Sequence, residues 1–346
     1  MRKVMVFALC FFVLLFFLLT AEFHMSFGGF PVHNINTGLD YPTIQDAINA
    51  TETSAGDTIV VDEGVYIEHV FVTKSLNIVG RNRNTTIMDS GGSVRCFTIS
   101  ARNVNITGFT ARRARWAFYL MGAVGCSVYR NNIRASDVGV RFENASSNTI
   151  FDNLVEDINI LGEAIYLERA NNNVIQRNLL NNASYAISLV LSSGNVIKEN
   201  KIANCSYAFY PQVSSGNVLF HNNILNGSTH VQIEGLSVNS WDEGYPGGGN
   251  YWGDYNGTDL DGDGIGDSAY VVNASEVDHY PLMKAYVPSV ADLNDDGKVD
   301  GKDIAIVAQA FGSRLSHRRW NWRADMNNDN KIDGLDLVVI AKSFRT

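Results

Sequence analysis

The feature that most restricts this chain is an internal repeat. From residue 126 it reads CSVYRNNI, NTIFDNLV, NVIQRNLL, NVIKENKI and NVLFHNNI, placing the second asparagine at Asn131, Asn153, Asn178, Asn200 and Asn222, in steps of 22, 25, 22 and 22. A second block keeps this register: AFYL at Ala117, VGVRF at Val138, AIYL at Ala164, AISL at Ala186 and AFYP at Ala208. A period near 22 with alternating apolar residues is too short for a helix pair. It suits one coil of a parallel β-helix, with two short strands per period and coils stacked about 4.8 Å apart.

Stacking explains why asparagine is so common. When coils superimpose, identical residues line up, and an inward amide donates to the next amide's carbonyl and to turn backbone. The spacing predicts one ladder through Asn131, Asn153, Asn178, Asn200 and Asn222, and another through Asn148, Asn173, Asn195 and Asn217 that Cys126 continues. Val128, Ile150, Ile175, Ile197 and Leu219 fill the interior. The three extra residues of the long coil are expected to bulge at 157–163. Thr43 to Ala50 (TIQDAINA) reads as a short amphipathic helix capping the solenoid's N-terminal end.

Composition narrows the class. With 346 residues, 18% of them charged, and a formal net charge of -9, neither a disordered chain nor a basic nucleic-acid binder fits, so no nucleic-acid partner is expected. Arg2 and Lys3, an apolar run from Val4 to Leu19, then Thr20 and Ala21 give residues 1–24 the order of an export signal, cleaved or retained as an anchor. The body is expected outside the cell in either case, with membrane contact only through that segment. Beyond Cys10, the odd set Cys96, Cys126 and Cys205 fits no zinc or disulfide framework and reads as small core fillers. Sequons at Asn49, Asn84, Asn105, Asn144, Asn182, Asn204, Asn226, Asn256 and Asn273 all lie in the body.

The capping helix, the following GDTIVVDEGVY and KSLNIVG, and the N-x-I-x-x-N repeats together resemble the pectin-lyase-like β-helix proteins. Within them the resemblance is particularly to the NosD-like and carbohydrate-binding/sugar-hydrolase group. GNYWGDYNGTDLDGDGIGDSAYVV from Gly249 and DHYPL from Asp278 look like the tail that closes NosD-like domains. The resemblance implies an all-β right-handed parallel β-helix over residues 25–284, cap and Asp-rich tail included. The NosD name also raises copper, but His33, His69, His221, His230 and His279 are scattered and form no ligand cluster in the sequence.

The last 55 residues hold DLNDDGKVDGKDIAIVAQAFG from Asp292 and DMNNDNKIDGLDLVVIAKSF from Asp325, offset by 33. Side-chain oxygens fall at loop positions one, three, five, nine and twelve: Asp292, Asn294, Asp296, Asp300 and Asp303, then Asp325, Asn327, Asp329, Asp333 and Asp336. Lys298 and Lys331 at position seven offer backbone carbonyls, and Gly297 or Asn330 makes the sharp turn. So many hard oxygen ligands select calcium. One helix follows each loop. The pair resembles a type I dockerin over residues 291–346, after a linker at 285–290, which implies two Ca2+ ions and a cohesin-type protein as partner. Positions ten and eleven, Gly301 and Lys302, then Gly334 and Leu335, depart from the Ser/Thr pairs of bacterial dockerins. Between the copies, Arg314, His317, Arg318, Arg319, Trp320, Trp322 and Arg323 read as linker or as partner contact. A third loop, Asp259, Asp261, Asp263, Ile265 and Asp267, has the same start but Tyr270 at twelve, and reads as a third calcium site or as a plain turn.

Along the AFYL-type strands, alternation turns Tyr119, Arg141, Tyr166 and Tyr210 to the surface, beside Glu143 and Glu168 one coil apart. Tyrosines with charges between them suit a polysaccharide or cell-surface glycan, and two adjacent carboxylates suit a glycosidase pair. The expectation is a secreted or surface β-helix protein that binds or processes polysaccharide and is attached through its dockerin. The alternatives are a structural envelope protein, and a polysaccharide lyase or glycoside hydrolase.

Overall fold

The computed structural model describes residues 29–343 except 93, 228, 290, 295–297, 315–318, 320, 328 and 330, with nothing said of the Trp322 side chain. The export segment 1–24 therefore lies outside the described residues.

Residues 32–252 build three sheets of ten, nine and eight strands, wound so that each coil adds one strand to every sheet. All pairings between coils are parallel; only the opening strands Val32–Asn34 and Leu39–Tyr41 add antiparallel at the edge of the first sheet. One coil runs Ser127–Tyr129, Asn132–Arg134 and Val138–Glu143, so a period holds three strands where the sequence suggested two. The N-x-I-x-x-N block is itself two strands. They join at Arg130, Asp152, Arg177, Glu199 and His221, all at φ between 52° and 60°, and the asparagine after each of them turns inward.

Those asparagines form the first ladder: each Nδ2 donates to the Oδ1 of the next at 2.9–3.3 Å, from Asn131 through Asn222 and on to Asn250. The second ladder runs from Cys126, whose N–H donates to Asn148, to Asn239. A serine ladder, Ser192, Ser214 and Ser237, supports a third corner that the sequence reading did not pick out. Between the ladders a single apolar core runs the length of the solenoid, with Phe97 stacked on Phe118 at 5.1 Å. Cys96, Cys126 and Cys205 are free thiols buried in this body.

The helix Ile44–Asn49 closes the N-terminal end. Thr43 caps it, and Ile44, Ala47 and Ile48 point into the core. At the other end the hairpin Tyr270–Val271 and Val277–Asp278 brings Glu276 and Asp278 under the two ladders. The chain then docks back on the body: Tyr286 exchanges two backbone hydrogen bonds with the Asn223 amide and stacks on His221 at 4.0 Å. In the C-terminal module the helices Gly301–Ala310 and Gly334–Ser343 share a small core of Leu293, Val307, Ala310, Ala324, Ile332 and Ile340. Among the described residues no helix is long and apolar enough to cross a membrane.

Candidate functional site

The outer face of the third sheet gathers the most chemistry. Its six-residue strands contain one irregularity: pairing joins Trp116 to Val138 and Phe118 to Val140 but skips the residue between. That skipped position is Ala117, Gly139, Ala164, Ala186 or Ala208, all buried. A Cβ on Gly139 would lie 2.5 Å from the Ala164 carbonyl oxygen. Two consecutive residues point inward, so Trp116 and Tyr119 both point out, and the face has three columns of side chains rather than two.

The outermost column is Arg95, Trp116, Val138, Glu163, Tyr185 and Tyr207, each in register with the next. Sequence alternation missed it, although W-AFYL, V-GVRF, E-AIYL, Y-AISL and Y-AFYP display it directly. The middle column holds the expected Tyr119, Arg141, Tyr166, Ser188 and Tyr210, and the inner one Glu143 and Glu168.

These groups interlock. The Arg95 guanidinium lies 4.7 Å from the Trp116 ring and 4.4 Å from that of Tyr119, and Arg141 lies 4.8 Å from Trp116 and 4.7 Å from Tyr166. Tyr119 Oη donates to Glu143 Oε2 at 2.7 Å. Arg141 Nη2 meets Glu168 Oε2 at 2.6 Å and Glu143 Oε2 at 3.7 Å, and Arg169 takes the other oxygen of Glu168 at 2.7 Å. Tyr185 stacks on Tyr207 at 5.0 Å and tilts against Tyr210 at 5.1 Å.

The packing corrects one expectation. Tyr119 is only 4% exposed, its ring covered by Arg95, so it holds neighbours in place and offers no stacking surface. Ser188 is fully buried. The half-exposed rings are those of Trp116, Tyr166, Tyr185, Tyr207 and Tyr210. Burial raises the Tyr119 and Tyr210 hydroxyls to about 12, helped by the hydrogen bonds to Glu143 and Glu234. Burial also pushes the Glu163 carboxyl up, with Arg141 pulling the other way. Glu143 and Glu168 sit on adjacent strands as expected, tied to Arg141.

The acidic loops form a second region. Asp259, Asp261 and Asp263 bring one carboxylate oxygen each within 4.8 Å of the others. Ile265 pairs with Leu282, and Asp267 accepts from Thr258 Oγ1 and the Leu260 N–H at 2.8 and 3.0 Å. Tyr270, at position twelve, supplies no carboxylate: its ring stacks on Trp252 at 4.2 Å.

The two C-terminal loops repeat one geometry. The buried Asp303 accepts from the backbone N–H groups of Leu293, Asn294 and Asp300 at 2.7, 3.3 and 2.8 Å. Asp336 accepts from those of Met326, Asn327 and Asp333 at 2.8, 3.3 and 2.8 Å. In the second loop the Asp329 N–H donates to Asp325 Oδ1 and Asn327 Oδ1 at 3.1 and 3.0 Å. Carboxylate and amide oxygens in such a loop are of the type that suits a hard cation. Lys298 and Lys331 are described in the loops, whereas Asp296 lies outside the described residues, as do Gly297, Asn330, His317, Arg318 and Trp320.

Residues 50–257 match the family model of the periplasmic copper-binding protein NosD, and residues 290–345 match the type I dockerin domain. A stretch of 108 residues is 32% identical to a cell surface glycoprotein of Methanothermus fervidus, covering 31% of this chain and 18% of that protein. An alginate lyase from Paenibacillus is similar in structure with a TM-score of 0.45 and 17% identity, covering 61% of this chain and 95% of the lyase. For the pectin methylesterase from carrot the values are 0.39, 15%, 63% and 84%.

The donor set does not suit the copper of the family's description. His33 binds Asp40, His69 binds Thr98, His221 binds the Gly247 carbonyl, His230 binds Tyr270 and His279 binds Asp242. Burial pushes the Cys96 thiol up to about 12, away from the thiolate copper prefers. Among the described residues the one group of three or more close metal-ligating side chains is the Asp259, Asp261 and Asp263 cluster, all hard oxygen. The chain belongs to the NosD family over residues 50–257 and carries a type I dockerin over residues 290–345.

Proposed function

We propose that this is a cell-surface or secreted protein whose β-solenoid binds polysaccharide along the outer face of its third sheet, and whose dockerin attaches it to a cohesin-bearing partner. Residues 1–24 serve as export signal or anchor, 25–284 as the glycan-binding body, 285–290 as linker and 291–346 as dockerin. The observation that carries the reading is the face itself, where Trp116, Tyr166, Tyr185, Tyr207 and Tyr210 stand half-exposed among carboxylates and guanidinium groups. Aromatic rings stack on sugar faces, and charged groups bind hydroxyls.

Two Ca2+ ions fit the dockerin, one held by Asp292, Asn294, Asp296, Asp300, Asp303 and the Lys298 carbonyl. The other is held by Asp325, Asn327, Asp329, Asp333, Asp336 and the Lys331 carbonyl. A third at Asp259, Asp261, Asp263, the Ile265 carbonyl and Asp267 has a weaker set, since position twelve is Tyr270. The ion pairs of Glu143 and Glu168 with Arg141 favour binding over hydrolysis. A polysaccharide array probed with the full chain, together with a reducing-sugar assay, tests this. Binding without sugar release is expected, and loss of binding in Tyr185→Ala/Tyr207→Ala/Tyr210→Ala. No binding to any polysaccharide would leave the structural envelope reading in its place.

A further inference from the structure

The glycan face is electrically lopsided. At its N-terminal end three guanidinium groups, those of Arg95, Arg141 and Arg115, surround the Trp116 indole at 4.7, 4.8 and 5.1 Å. Only Arg141 has carboxylate partners; among the described residues neither Arg95 nor Arg115 makes an ion pair. Arg95 Nε is buried with no hydrogen-bond partner. In a chain of net charge -9 that offers 36 carboxylates, two guanidinium groups beside one ring with no carboxylate partner keep their charge available to an anionic ligand. The guanidinium groups are held on aromatic rings, already oriented for a planar or tetrahedral anion.

The opposite end inverts the sign. Three strands from Arg95, about 14 Å at the usual strand spacing, stands Glu163, and beyond it Tyr185, Tyr207, Tyr210 and Glu234. Glu163 and Glu234 make no ion pair among the described residues, and Glu234 is bound by Gln212 Nε2 at 2.8 Å. Carboxylates among tyrosines accept from neutral hydroxyls and repel a second anion.

Resting on the reading of this face as a glycan surface, we infer that its ligand is a mainly neutral polysaccharide bearing an isolated anionic sugar, whose carboxylate or sulfate sits between Arg95 and Arg115. A uniformly anionic polymer meets Glu163 and Glu234 and binds worse.

Affinity electrophoresis of the full chain tests this in gels containing xylan, glucuronoxylan or polygalacturonate, and in a parallel set containing dextran or dextran sulfated at low or high density. The sparsely acidic member of at least one set should bind about tenfold more tightly than its neutral or densely charged counterpart; which set does so tells carboxylate from sulfate. Arg95→Gln and Arg115→Gln should each reduce that preference to the neutral level and remove its salt sensitivity. Arg115 is exposed, so its variant tests the site even if Arg95→Gln disturbs the face. If neutral polymers bind as well as acidic ones, if the densely charged polymers bind best, or if neither variant matters, this inference fails while the glycan face stands. No retardation in any gel overturns both.

Discussion

Replacing Asn178 with alanine tests the ladder where it is most constrained. The residue is 1% exposed and its amide is fully used. Oδ1 accepts from the Asn153 backbone N–H at 3.1 Å and from Asn153 Nδ2 at 3.0 Å. Nδ2 donates to the Ile150 and Gln176 carbonyls and to Asn200 Oδ1 at 2.9, 3.0 and 3.0 Å. After truncation, Asn153 Nδ2 keeps the Val128 and Phe151 carbonyls, and Asn200 Oδ1 keeps the backbone N–H of residue 178. The Asn153 N–H loses its acceptor inside a closed core. One orphaned buried donor costs about 1 to 3 kcal/mol, and the small cavity adds about 1 kcal/mol, so a loss near 3 kcal/mol is expected.

Asn256→Ala is the control, because Asn256 is exposed and the change should stay within about 0.5 kcal/mol. Urea unfolding followed by far-UV circular dichroism measures both, and amide hydrogen exchange locates the damage. Each coil touches only its neighbours, so protection should fall first around Asn153 and Asn200. Asn178→Asp should be worse than alanine at neutral pH, since a carboxylate would face three acceptors. Equal shifts for Asn178→Ala and Asn256→Ala, or an Asn153 amide that keeps its protection, would refute the ladder as a source of stability.

The dockerin segment 291–346 is expected to gain most of its helix on adding calcium and lose it in chelator, because its core is a handful of residues; Asp292→Ala/Asp325→Ala should abolish the response. Burial raises the Asp278 carboxyl to about 6, outweighing the hydrogen bonds donated to it from Asn250, Trp252 and Tyr280. The sign follows: the folded state holds this proton more tightly than the unfolded one, so its contribution is full below about pH 4 and is lost as pH rises through about 6. It amounts to at most about 3 kcal/mol, and Asp278→Asn should flatten that part of the stability profile in thermal melts at pH 4 to 7. Glu143→Gln/Glu168→Gln should leave polysaccharide binding within about threefold, as read by affinity electrophoresis, and any change in reducing-sugar release would contradict a binding face.

The two asparagine ladders were legible because each depends on a repeated residue at a fixed offset, and the capping helix because Ile44, Ala47 and Ile48 recur on one face. The three-strand coil was not, because a residue such as Arg130 at φ 52° breaks an apolar block into two strands without any glycine or proline to mark it. The outermost column of the glycan face was hidden for a related reason. Strict alternation from Phe118 and Leu120 correctly turns Tyr119 outward, but it cannot reveal that Ala117 also points inward, which puts Trp116, Glu163, Tyr185 and Tyr207 on the surface. The small residue at that column was the available signal. Burial of Tyr119 escaped for another reason: what covers it, Arg95, comes from the neighbouring coil, and a pattern read along one strand carries no information about the strand beside it.

The ends of the ladders follow from their direction. Every rung accepts from the preceding one and donates to the next, so the final amide needs an acceptor, and a further asparagine would only pass the problem on. A group that accepts without donating ends the series. Asn250 donates its backbone N–H to Asp278 Oδ2 at 2.7 Å, and Asn239 donates its own to Glu276 Oε1 at 2.9 Å. The leftover carboxylate capacity is taken by groups that only donate: the indole of Trp252 reaches Asp278 at 2.8 Å and that of Trp241 reaches Glu276 at 2.6 Å. Both acids stand two residues apart at the closing hairpin, and both indoles are buried in the last layer of the core. The acidic tail, which the sequence places at the closing end of the solenoid, is thus the hydrogen-bond terminus of the two asparagine ladders, and truncation before Glu276 would leave the last rung of each with its backbone N–H unpaired.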